Sequence, residues 1–149
     1  MSAFTFRLGR LLDLREALEK ERAAELQAAR LAEEAKRESF EKQQRHCEEL
    51  RSGAQCFQGD LSVAGILRNH GILLEAALKA AELEQKALTE AEQQRTRSQQ
   101  SFDSARVERR SLEKLRETAY SDWRYSDNRA EQSSIDDAAL RSNTRSVDS

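Results

Sequence analysis

Four side chains with an affinity for soft metal ions, His46, Cys47, Cys56 and His70, fall within one short stretch, and thiolate with imidazole is the donor set that zinc prefers. Their spacing argues against a site. His46 and Cys47 are adjacent, so on a helix they diverge by about 100°. The two cysteines are also not separated by the roughly two-to-four-residue knuckle of a zinc ribbon. They could pair with each other, but no feature points to an oxidising compartment, and reduced thiols are expected. Asp136 and Asp137 are a second candidate for chemistry, yet neighbouring carboxylates on an exposed helix diverge; a solvated face, or contact with a basic partner, fits them better than catalysis. Gly53, Gly59, Gly65 and Gly71 lack the Gly-Lys-Ser or Gly-Lys-Thr ending of a phosphate loop, and neither a nucleophile elbow nor a His-carboxylate motif occurs. The sequence therefore predicts no enzyme, no metal, no cofactor and no small-molecule substrate.

What remains is a protein that works by touching other proteins. Its 149 residues contain no proline, 5% aromatic, 38% apolar and 35% charged residues, the composition of a long helix or coiled coil. Lys and Arg number 25 against 27 Asp and Glu, which leaves no net field to hold a polyanion; nucleic acid is not an expected partner. No run of eighteen apolar residues exists, and Arg7, Arg10, Asp13 and Arg15 interrupt the opening stretch, so neither a membrane span nor a secretory signal is expected and the cytoplasm is the predicted compartment.

The elements that must present such contacts follow from periodicity. From Phe4 the apolar residues Leu8, Leu11, Leu12, Leu14 and Leu18, then Ala24, Ala28, Leu31, Ala32 and Ala35, recur near three-and-four spacing. Pairs such as Glu16 with Lys20 and Glu33 with Arg37 support the same helix four residues apart. This predicts a first helix over about 4–52. Four of the five glycines then fall between Gly53 and Gly71, each costing roughly 1 kcal/mol in a helix interior relative to Ala, so 53–71 is expected to form the tip of a hairpin. Within it, Asp60 ahead of Leu61, Val63, Ile66 and Leu67 suggests a capped helical turn, with Asn69, His70 and Gly71 a second break. From Ile72 to about residue 140 a longer stripe runs through Leu74, Leu78, Ala81, Leu88, Phe102, Ala105, Leu112, Leu115, Ala119 and Trp123, with 142–149 expected to fray.

The predicted architecture is all-α: one long antiparallel two-helix coiled-coil hairpin with a glycine-containing tip. A tip centred near residue 62 sets Phe4 beside residue 120 and leaves the end of the second helix projecting past the first. The seam is rich in Ala and carries Arg109 and Arg116 where a heptad favours Leu, so it buries little apolar area.

Two terminal patterns resemble a known family. Phe4-Thr5-Phe6-Arg7-Leu8, followed by Leu11, Leu12, Asp13, Leu14, Arg15 and Glu19, is similar to the opening of the flagellar FliJ family. Leu112-Glu113-Lys114-Leu115, then aromatics, Glu131-Gln132, Asp136-Asp137, Ala139 and Arg145, resembles its closing pattern. The resemblance implies a non-catalytic component of the flagellar type III export apparatus that binds the export ATPase ring, the cytoplasmic domain of the export gate and substrate-specific export chaperones. It also implies a stalk-like hairpin whose terminal end enters the ATPase, and association with the membrane only through protein contacts.

On this reading the ATPase-facing candidates at the open end are Phe6, Tyr120, Trp123, Tyr125, Glu131, Gln132, Asp136 and Asp137. Phe4 and Tyr120 are expected to close the hairpin end, with Trp123 and Tyr125 turned toward a partner, since Trp and Tyr dominate binding hot spots. Where the family tends to place an aromatic at the start of the second helix, this chain has His70-Gly71-Ile72-Leu73. Ile72, Leu73 and Leu74 are consecutive and cannot all face one helix, so they are the gate-side candidates. Two alternative readings are the stalk of a virulence-type III secretion injectisome, which keeps the same hairpin, and a generic homodimeric coiled-coil scaffold.

Overall fold

The computed structural model describes residues 3–55 and 64–147, with side-chain surroundings for 3–53 and 65–141. The chain is all-α, a two-helix antiparallel hairpin with no strand among the described residues: α1 is Gly9–Gln55 and α2 is Ala64–Val147.

The element boundaries differ from the sequence expectation at three places. Helix α1 begins at Gly9 rather than about residue 4: residues 3–6 are irregular, a turn follows, and the Gly9 amide donates to the Phe6 carbonyl at 3.0 Å. Phe4, Thr5 and Phe6 are indifferent helix formers, and Phe4 gains more from packing its ring against α2. Helix α2 begins at Ala64 rather than about residue 72, running through Gly65 and Gly71 without a break. A Cβ at either glycine would meet no atom within 4 Å, so no close approach requires glycine there. His70, expected at a break, is helical and bonds through Nε2 to the Leu50 carbonyl on α1. Lastly, the segment expected to fray at 142–149 is helical as far as Val147. Asp60, Leu61, Val63, Cys56 and Gly59 lie outside the described residues.

The chain divides into two compact units, one of the two chain ends (up to Lys20 and from Ser104) and one of Glu21–Asp103. In both, burial follows a heptad. On α1 the positions Leu12, Glu19, Leu26, Glu33, Phe40 and Cys47, seven apart, are buried or half-buried, as are Arg15, Arg22, Ala29, Gln43 and Leu50 between them. On α2 the matching series includes Leu74, Ala77, Ala81, Leu88, Arg95, Ser98, Phe102, Ala105, Arg109, Leu112 and Trp123. Of the stripe expected along the first helix, Leu12 is buried and Leu18 half-buried, but Leu8, Leu11 and Leu14 are exposed, as are Ala24, Ala28, Leu31, Ala32 and Ala35. Ala is too small to decide which face turns inward; the true seam keeps Leu26 inside and tolerates charge because the charges are paired.

In the Glu21–Asp103 unit, Leu26, Ala29, Cys47 and Ala77 form the apolar core, with Glu33 and Ser98 buried among them. Arg95 pairs with Glu33 across the helices at 2.7 Å, and Arg37 binds the other Glu33 oxygen at 2.7 Å. Arg30 donates to Gln99 at 3.0 Å and Gln43 to the Ala77 carbonyl at 3.1 Å. In the terminal unit Leu12 and Ala105 are buried, Arg15 pairs with Glu108, and Arg109 bridges Glu19 on α1 and Glu113 on its own helix. No large side chain is fully enclosed among the described residues, as expected of two helices with nothing else to cover them.

Candidate functional site

At the open end the site is built outward from Phe4. Its ring lies 5.2 Å from Tyr120, nearly edge-on at 80°, and 5.7 Å from Trp123, while Tyr120 and Trp123 are 5.7 Å apart. The expected neighbour of Phe4 near residue 120 is therefore present. Edge-to-face contact sets the positive rim of one ring against the negative face of another, and it pins the irregular segment ahead of α1 to α2. Phe6 is half-buried beside this trio in sequence, and its carbonyl holds the turn into α1. Trp123, expected to face a partner, is half-buried in the cluster, whereas Tyr120 keeps 46% of its surface and Tyr125 keeps 70%. The division between closing and presenting residues thus falls between Trp123 and Tyr125.

Beyond Trp123, α2 continues with nearly every described residue exposed. Trp123 to Val147 corresponds to about 36 Å of helix at 1.5 Å per residue. Tyr125, Gln132, Ile135 and Asp136 recur at helical spacing on one side, and Gln132 donates to the Asp136 carboxylate at 3.0 Å. Glu131 and Asp137 are exposed but point to other sides of the helix, so the five polar and aromatic candidates beyond the cluster do not form one patch. Two residues that motif reasoning overlooked belong with them: Ile135 and Leu140, 62% and 65% exposed, are large aliphatics in a mostly polar stretch. That contrast with their neighbours is the signal that would have found them.

Toward the tip, Ile72 and Leu73 are exposed and Leu74 is half-buried in the seam. Of the three gate-side candidates, two are thus presented and one packs. Ile66 and Leu67, expected inside a separate turn, are also exposed on the same continuous helix, and Ile66 shares a side with Leu73 seven residues on. Gly53 approaches this region: a Cβ there would stand 3.6 Å from the His70 ring.

The electrostatics are those of paired surface charge. Glu19, then Glu113, hold the Arg109 guanidinium above its ordinary pKa against a smaller opposing effect of desolvation, and Glu75 and Glu25 do the same for Lys79 and Arg22. Among the described residues no group of His, Cys, Asp and Glu is placed to hold a metal; Cys47 is buried and reduced, and His46 is exposed. No helix of the described residues is long and apolar enough to cross a membrane.

A family model described as Flagellar FliJ protein matches residues 4–147. No curated protein and no solved structure matches the chain. Since the match runs from the aromatic segment ahead of α1 to the end of α2, the chain belongs to the flagellar FliJ protein family and is a component of flagellar type III protein export.

Proposed function

We propose that this chain is a non-catalytic stalk of the flagellar export apparatus: its projecting α2 end enters the export ATPase ring, and its tip side contacts the cytoplasmic domain of the export gate. The observation that carries this reading is the continuation of α2 past the Phe4–Tyr120–Trp123 cluster, with Tyr125, Ile135 and Leu140 exposed along it. A helix of this kind offers aromatic and aliphatic anchors along a narrow rod, a shape suited to a ring's central opening. Exposed Ile66, Ile72 and Leu73 supply a second, aliphatic surface for the gate, and mixed charge along both helices suits transient contact with substrate-specific chaperones. The reading places the protein in the cytoplasm, held at the inner membrane through protein contacts alone.

The direct test is binding of the purified chain to the export ATPase, with hexamer content and ATP turnover recorded with and without it. Binding accompanied by more hexamer supports the stalk. A folded cognate ATPase that does not bind the chain would remove the proposal and leave a helical hairpin with other partners.

A further inference from the structure

The seam repeats one device in each of the two units. Glu19 meets Arg109 in the terminal unit and Glu33 meets Arg95 in the other, and the partners are fourteen residues apart on both helices. Each layer is reinforced by an i,i+4 neighbour, Glu113 for Arg109 and Arg37 for Glu33. These positions belong to the seam: Glu19 and Arg109 keep about a fifth of their side-chain surface and Glu33 only 11%, with Arg95 at its edge keeping 39%. The other inward positions mix large apolar side chains with small ones, and Ala29, Ala77 and Ala105 are three of the six buried apolar residues among those described.

The alanines of this seam discriminate poorly between pairings, because a small side chain packs against almost anything one heptad away. Displacing α1 by one heptad in one direction would set Glu33 against Leu88 and Glu19 against Phe102. Displacement the other way would set Glu33 against Phe102 and Arg109 against Leu26. Either slip leaves a carboxylate or guanidinium desolvated against an apolar side chain. Loop-closure cost grows slowly with loop length, so joining two helices in one chain does not by itself forbid such slips.

We propose that the two glutamate–arginine layers are register-setting contacts, holding the hairpin in one of several pairings its apolar seam would otherwise accept. A single buried polar layer is a known way to trade stability for register in coiled coils; here the repeat at two heptads makes one alignment satisfy both layers at once.

The test is disulfide trapping in the full chain with Cys47→Ala and Cys56→Ser, so that only introduced cysteines report. Arg30→Cys with Gln99→Cys reads the observed register, whose side chains already meet. Arg30→Cys with Glu92→Cys, and Gln44→Cys with Glu92→Cys, read slips of one heptad in either direction. With both layers intact the first pair should dominate by at least about tenfold. In E19L/E33L/R95L/R109L helicity and melting temperature should hold or rise, while a slipped pair cross-links to within roughly threefold of the first. E33R should lose the preference and E33R/R95E should recover it, a comparison that holds whether or not the four-leucine variant folds. Exclusive trapping of the first pair in the folded four-leucine variant, or no recovery in E33R/R95E, would overturn the proposal.

Discussion

Glu33 is the most consequential single side chain in the seam. It is buried, accepts from Arg37 and pairs with Arg95, so Glu33→Ala removes the carboxylate these two guanidinium groups share, leaves Arg37 only its 3.7 Å pairing with Glu92, and is expected to cost about 1–2 kcal/mol, read as a lowered melting temperature by circular dichroism. Leu26→Ala removes one of few buried large apolar groups and should cost about 2–3 kcal/mol in the same assay. The cations behave differently with pH. Arg109, held above its ordinary pKa by Glu19, stabilises fully below the unfolded value and loses that contribution only as pH rises through the higher folded value; Lys79 beside Glu75 follows the same sign. Both windows open above about pH 10, so these pairs predict a flat melting temperature from pH 7 to about 9. Sequence reasoning saw Arg109 as a misfit at a heptad position but not its partner, because Glu19 and Glu33 look like solvent-face residues in a chain with abundant Glu. Only the opposite helix reveals that they face inward.

Helix α2 was legible through its seam and illegible at its ends. Of the stripe that periodicity predicts, Leu74, Ala81, Leu88, Phe102, Ala105, Leu112, Ala119 and Trp123 turn inward, whereas Ile72, Leu78 and Leu115 are exposed. On α1 the same reasoning followed alanines to the exposed side. The start of α2 was misplaced because glycine propensity is a weak prior: Gly65 and Gly71 are carried by the helix around them, and His70 anchors that turn to Leu50. They still carry an entropic cost. Gly65→Ala and Gly71→Ala, each with open space for a Cβ, should therefore raise stability by about 0.5–1 kcal/mol apiece without changing helix content at saturation. A drop in melting temperature for either would place an unseen constraint at that turn.

At the scale of the whole molecule, closing and presenting roles separate along α2. Phe4→Ala should loosen the ring cluster and expose Trp123, read as a red-shifted tryptophan emission, whereas Tyr125→Ala with Ile135→Ala should leave emission and melting unchanged and weaken ATPase binding by roughly tenfold or more. Fold class and family were both within reach of the sequence, because proline-free composition and two terminal signatures survive without any three-dimensional knowledge. The inner and outer faces were not, because they depend on which charges find each other. The length of helix beyond Trp123 has one more implication. An isolated helix of such length is only marginally stable in water, so this segment opens far more often than the paired part of the chain. Trypsin should then cut the free protein first after Arg124 or Arg129, and an occupied receptor should shield those bonds, so that a limited digest reports engagement before any partner structure is known.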